Sequence, residues 1–196
     1  MLKIAITGNI ASGKSAVEFI LREKSFPVLD TDVVVHKLLK ESSIKDTLVK
    51  TFKGFDIEEN KEISRPKLGK IVFGNDELKK RLESILHPKV KEEIAKFFNI
   101  NKKANKKIAF VSVPLLFEAK FEKLFDKTIL VYAKDKIRIE RLKKRNLSVE
   151  EINKRLSAQM SQDDKVKISD YVLYNEGTIE ELVKKTEKII NLISSD

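Results

Sequence analysis

The chain has 196 residues, 41% of them hydrophobic and 36% charged, with a formal net charge of +10 and no cysteine. That length suits one domain, or one core with modest insertions, and the absence of cysteine excludes disulfides, thiolate metal sites and cysteine nucleophiles. Two histidines are too few for a histidine-rich metal centre, and the lysines are spread along the chain beside glutamates without interleaved aromatics, so the charge reads as a solvated surface and not as a nucleic-acid interface.

In chain order, Leu2–Ile6 is a short apolar run ending in Thr7, the pattern of a buried parallel strand, and Ala16–Glu23 is helical with Val17, Ile20 and Leu21 on one face. Between them lies Gly8-Asn9-Ile10-Ala11-Ser12-Gly13-Lys14-Ser15. A strand, a glycine-bounded loop and a helix N-terminus together wrap an anionic phosphate in backbone N–H groups. Lys14 is placed to reach the β- and γ-phosphates of a nucleoside triphosphate, and the Ser15 hydroxyl to hold Mg²⁺. The opening apolar stretch is interrupted at Lys3 and runs into this loop, so it is a strand and not a signal peptide. No run approaches the length of a membrane span, and the expected compartment is the cytoplasm.

A second apolar stretch, Phe26–Leu29, ends in Asp30-Thr31-Asp32 and passes into a helical pattern. From there to about residue 103 the chain reads as helical with no convincing strand. Asn75 is a predicted N-cap, His87-Pro88 a predicted helix junction, and Asn99–Lys107 a charged connector. Strands follow at Ile108–Val113, stopped by Pro114, and at Thr128–Tyr132. A charged helix is predicted from Asp135 to about Asn146, and Ser148 with Glu151 forms a capping box that opens another helix to about Ser161. Tyr171–Tyr174 is a last short strand, and Thr178 with Glu181 caps a terminal helix. The class is therefore α/β: a parallel sheet flanked by helices, with two helical excursions over its carboxyl edge. Residues 1–35, 104–135 and 166–196 form the expected nucleotide-binding core, 36–103 the acceptor-binding region and 136–165 a lid.

Switch GTPases need Asp-x-x-Gly and Asn-Lys-x-Asp, and both are absent. A mechanical ATPase would carry a recognisable oligomerisation or partner domain. The two insertions favour a small-molecule kinase, with one insertion for the acceptor and one basic lid. Arg138, Arg141 and Arg145, spaced three and four apart, share one helix face. Arg155 and Gln159 share a face of the next helix and are candidates to reach substrate or nucleotide.

Ile6-Thr7-Gly8 leading into the phosphate loop, Asp30-Thr31-Asp32, Leu82–Pro88, Val113-Pro114-Leu115-Leu116-Phe117-Glu118, Glu140–Arg145, Arg155–Met160 and Asn175-Glu176-Gly177 carry a resemblance that covers essentially the whole chain. It is to the dephospho-coenzyme A kinases, P-loop kinases that move the γ-phosphoryl of ATP to the ribose 3′-hydroxyl of dephospho-coenzyme A. Asn9 and Ala11 stand where that family usually has glycines, and Ala16 where it usually has threonine. The resemblance implies Asp32 as the base that accepts the hydroxyl proton, and Lys14 and Arg141 as phosphate contacts, with Arg145 a further one. Gly8, Ala11, Ser12, Gly13, Lys14, Ser15 and Ala16 would hold the phosphates of ATP, with Asn175 and Gly177 at the adenine. His87, Glu118, Arg145, Arg155 and Gln159 join Asp32 as candidates on the acceptor side, His87 also reading as a structural joint and Glu118 as the start of a helix. ATP, Mg²⁺ and dephospho-coenzyme A are the implied ligands, and no nucleic acid, membrane or obligate protein partner is expected.

Overall fold

A computed structural model describes residues 1–145 and 148–195. β1 (Leu2–Thr7) leads through the glycine-bounded loop into α1 (Lys14–Glu23), and β2 (Val28–Asp30) passes directly into α2 (Thr31–Leu38). Then come α3 (Ser42–Thr51), a small hairpin of β3 (Glu58–Glu59) and β4 (Glu62–Ile63), α4 (Arg65–Val72) and α5 (Asp76–Lys103). Strands and helices alternate again in β5 (Ile108–Ser112), β6 (Lys127–Tyr132), α6 (Asp135–Lys143), α7 (Val149–Ser157), α8 (Gln162–Ile168), β7 (Tyr171–Tyr174) and α9 (Ile179–Ser195). No helix among the described residues is long and apolar enough to cross a membrane.

The chain divides into two compact units, Met1–Asp30 with Phe98–Asp196, and Thr31–Phe97. The second begins at Thr31 and ends at Phe97, where the sequence pattern suggested 36 and 103, and residues 136–165 belong to the first. The first unit holds a five-stranded sheet in the order β2-β5-β1-β6-β7, every pair parallel. Parallel strands are covered on both faces, so they are built from continuous apolar runs; all five residues of β5 and the last four of β1 are buried. Ile4, Ile6, Phe110, Val131 and Leu173 meet Val17 and Leu21 of α1 and Leu182, Ile189 and Ile190 of α9 in one core. Burying each such side chain is worth about 1.5–3 kcal/mol. The register sets Asp30 opposite Ser112 and Ser112 opposite Ile6, so these residues share a level at the carboxyl edge. β1 is central, with neighbours reached by crossovers in both directions, and an α/β sheet binds its ligands at such a switch point.

The second unit packs Leu39, Ile44, Leu48, Phe52, Ile57, Ile63, Leu68 and Leu86 around its own centre. It contains a hairpin where no strand was expected. Asn60 and Lys61 both have positive φ, 50° and 62°, the backbone that a two-residue primed turn demands, and asparagine tolerates it better than most residues. Strands of two residues carry too little periodicity to read from sequence. Asn75 caps α5 as predicted, accepting from the Leu78 N–H at 3.0 Å.

His87-Pro88 is not a junction: α5 runs unbroken through it to Lys103, which also removes most of the predicted connector from 99 to 107. Pro88 lies on the exposed side, so the backbone acceptor it leaves without an N–H faces water. Leu86, Val90 and Ile94, four apart, are all buried and keep one continuous packed face across it. The helix after Asp135 stops at Lys143, and its expected end at Asn146 lies outside the described residues. The Ser148–Glu151 capping box is present, but α7 ends at Ser157 and Ser161 caps a further helix, α8.

Candidate active site

The loop between β1 and α1 has two residues in left-handed backbone, Ala11 (φ 62°) and Gly13 (φ 100°). Glycine is required at 13, because a Cβ there would sit 1.9 Å from Asn175 Nδ2. At Gly8 a Cβ would lie 2.8 Å from the Val131 carbonyl oxygen, so the loop crosses β6 at backbone distance. The Ser12 N–H closes a turn onto Asn9 O at 3.0 Å, and the Ala16 and Val17 N–H groups bond to Gly13 O. Among the described residues, the N–H groups of Ala11, Gly13, Lys14 and Ser15 donate to no protein acceptor. Four free donors at a helix N-terminus form a cradle for an anion. Ser15 is exposed there, and Ala16 packs onto the core.

Lys14 turns onto Glu18, Nζ to Oε1 2.8 Å, and also bonds to the Ser112 hydroxyl. Ser112 Oγ in turn donates to Glu18 Oε1 at 2.6 Å, and Arg22 Nη1 stands 3.5 Å from Oε2. Glu18 is only 3% exposed. The sequence reading passed over Glu18 and Ser112, although the i, i+4 spacing from Lys14 to Glu18 was visible.

The arginines of α6 are not a solvated face. Arg138, 3% exposed, donates through Nε to Ile10 O at 2.9 Å and through Nη1 to Asp135 Oδ1 at 2.8 Å. Arg141 donates to Ala11 O, Ser12 O and Asn175 O, each at 3.1 Å. Burial lowers the pKa of both guanidinium groups, and Arg145 adds repulsion at Arg141. Arg145 falls past the end of α6 and is exposed, so it does not share one helix face with Arg138 and Arg141 as expected. Asn175 reaches back from β7, Nδ2 to Ser12 O at 2.8 Å, and so closes the loop from the far side. At Gly177 a Cβ would meet only the movable end of Glu181.

Gln159 lies beyond the end of α7, not on a helical face shared with Arg155, and its Oε1 accepts the Ile10 N–H at 2.8 Å. Arg155 is exposed on α7. Glu118 sits in a run of turns after β5 and starts no α-helix; it accepts the Met160 N–H at 3.0 Å and pairs with Lys165 at 2.9 Å. In the second unit Asp32 is exposed in the first turn of α2, where a carboxylate favours the helix dipole. His87 is half-buried in mid-helix; burial lowers its pKa, Glu83 opposes, and Lys91 and Lys79 add to the lowering.

Comparison with known proteins gives a consistent match. The profile of one protein family, dephospho-CoA kinase (CoaE), matches residues 2–181. A dephospho-CoA kinase of Wolinella succinogenes is 40% identical over 200 residues, 98% of this chain and 95% of its own length. A crystal structure of a Thermus thermophilus protein aligns with a TM-score of 0.83 at 31% identity, over 97% of this chain and 96% of that one. A dephospho-CoA kinase from Campylobacter jejuni aligns at 0.72 and 32%, over 98% and 97%.

Proposed function

This chain belongs to the dephospho-CoA kinase family, and from that premise we propose how its residues carry out the reaction. The activity is phosphorylation of the ribose 3′-hydroxyl of dephospho-CoA by ATP, the last step of coenzyme A biosynthesis. The observation that carries the residue assignment is the phosphate loop, with four unused N–H donors and a lysine at one helix N-terminus. Those amides, from Ala11 to Ser15, hold the β- and γ-phosphates, and Lys14 balances the charge that moves with the γ-phosphoryl. Gly8, Gly13 and Ala16 let the loop approach, and Asn175 and Gly177 flank the adenine. Arg141 fixes the loop through its carbonyl contacts and turns its remaining donors toward phosphate.

Asp32 accepts the proton of the attacking 3′-hydroxyl, because a sugar hydroxyl is a weak nucleophile until that proton has somewhere to go. Its place two residues beyond the end of β2 supports this. The donor set also fits Mg²⁺. No cluster of three acidic or imidazole groups occurs among the described residues, and Mg²⁺ in kinases needs only one or two protein oxygens beside phosphates and waters. Ser15 supplies the hydroxyl, with Asp30 at the end of β2 to orient water; when bound, the ion neutralises developing phosphate charge. Residues 36–103 receive the acceptor, with His87 at its side, and 136–165 act as the lid, with Arg145, Arg155 and Gln159. A supply of ATP suits a cytoplasmic enzyme.

The test is ATP consumption at millimolar Mg²⁺ with dephospho-CoA offered beside AMP, CMP, adenosine and no acceptor. Turnover confined to dephospho-CoA, and lost in Asp32→Asn with ATP binding kept, is expected. Preferential turnover of a nucleotide, or full activity in Asp32→Asn, would overturn the assignment of substrate or base respectively.

A further inference from the structure

Lys165 is 0% exposed, yet no catalytic step uses it. A fully buried ammonium is tolerated only beside a carboxylate, and its partner is Glu118 Oε1 at 2.9 Å. The same oxygen accepts the Met160 N–H at 3.0 Å. Met160 belongs to the short segment between α7 and α8, and this segment grips the phosphate loop twice. The Met160 carbonyl accepts from Asn9 Nδ2 at 2.9 Å, and Gln159 Oε1 accepts the Ile10 N–H at 2.8 Å. A buried ion pair thus sits behind a strap whose other side holds the two loop residues that follow Gly8.

We propose that Glu118 and Lys165 are a positioning pair, which fixes the phosphate loop through Met160 and Gln159 and thereby sets affinity for the ATP phosphates. Glu118 then touches no substrate. The pair does its work through a charge-assisted bond to the Met160 N–H, which anchors the strap at the residue between its two grips on the loop, the Gln159 side chain and the Met160 carbonyl. Asn9 has a part of its own: a glycine at this position could not make the side-chain bond to Met160 O. In this chain the bond restrains a loop in which Ala11 holds left-handed backbone.

This inference rests on the kinase reading, so binding and turnover are measured separately. Calorimetric titration with ADP and with dephospho-CoA, plus steady-state kinetics, is run on wild type, Glu118→Gln, Lys165→Met, Lys165→Arg and Asn9→Gly. Both Glu118→Gln and Lys165→Met are expected to weaken ADP binding and raise KM for ATP about tenfold, with KM for dephospho-CoA within about twofold of wild type; tenfold corresponds to about 1.4 kcal/mol. Lys165→Arg should restore most of the loss, which a general packing defect would not allow. Asn9→Gly, which leaves the ion pair intact, should weaken ADP binding about threefold, and it decides the matter if Lys165→Met does not fold. Unchanged ADP affinity in Asn9→Gly and Glu118→Gln would overturn the proposal, as would a rise in KM for dephospho-CoA alone in Glu118→Gln. If wild type binds neither ADP nor ATP, the kinase reading itself falls.

Discussion

Glu18→Gln tests how Lys14, the lysine proposed to bind phosphate, is held. The carboxylate is buried, 2.8 Å from Lys14 Nζ and 3.5 Å from Arg22 Nη1, and it accepts from Ser112 at 2.6 Å. Glutamine keeps the volume and an acceptor oxygen but removes the charge. Two terms oppose in the free protein. Losing hydrogen bonds to a charged group costs about 1.5–3 kcal/mol, while sparing the burial of a carboxylate returns part of it. A net loss of about 1–2 kcal/mol follows, and for a chain of this size each kcal/mol lowers Tm by roughly 2–4 °C. For nucleotide binding the sign reverses. Lys14 is no longer shared with a fixed anion, and incoming phosphates no longer face a second negative charge. ADP in magnesium-free buffer should bind about tenfold tighter, a gain of about 1.4 kcal/mol, measured by calorimetric titration beside urea unfolding. Weaker ADP binding in the variant would refute the reasoning, because it would mean that Glu18 aims Lys14 at the phosphates and does not compete with them.

Gly13→Ala forces a side chain into φ 100° and onto Asn175 Nδ2; strain and the lost Asn175 bond together should cost about 2–4 kcal/mol in urea unfolding and abolish detectable ADP binding. Ala11→Gly relieves a left-handed alanine at φ 62°, and its strain of about 1–2 kcal/mol exceeds the roughly 0.5–1 kcal/mol of added chain entropy, so the variant should be neutral to about 1 kcal/mol more stable. For His87, burial holds the folded-state pKa below the ordinary 6.5. The unfolded chain therefore takes up the proton first, and this contribution to stability is full above pH 6.5 and lost as pH falls through the folded value. His87→Gln should flatten the urea midpoint against pH in that window and leave it unchanged above.

The phosphate loop was legible because its chemistry is local: glycines, lysine and serine at fixed spacing between an apolar run and a helix. The parallel sheet was legible for the same reason, since strands buried on both faces must be apolar throughout. What the pattern could not carry is partners. Arg141 drew attention by its spacing, but its acceptors are the carbonyls of Ala11, Ser12 and Asn175, and every residue has a carbonyl. Arg138 was set aside by the same blindness, although its guanidinium is the more buried of the two. Lys165, between Asp164 and Val166, looks like any solvated lysine; its burial depends on Glu118, 47 residues earlier by their numbers.

Pro88 shows the converse failure, in which a strong local rule is overridden. The helix loses one backbone bond on the water side and keeps a buried face on the other, and burial of several apolar side chains outweighs one hydrogen bond of about 1 kcal/mol. The same inequality explains why the loop can carry Ala11 in left-handed backbone. A penalty of about 1–2 kcal/mol is small against the bonds that converge on this loop from Arg138, Arg141, Gln159 and Asn175. The phosphate chemistry proposed for this loop is thus written in eight consecutive residues, while the bonds that hold them come from residues more than a hundred positions away. A substitution at Arg138, which bonds to Ile10 O and Asp135, should alter nucleotide affinity without touching nucleotide.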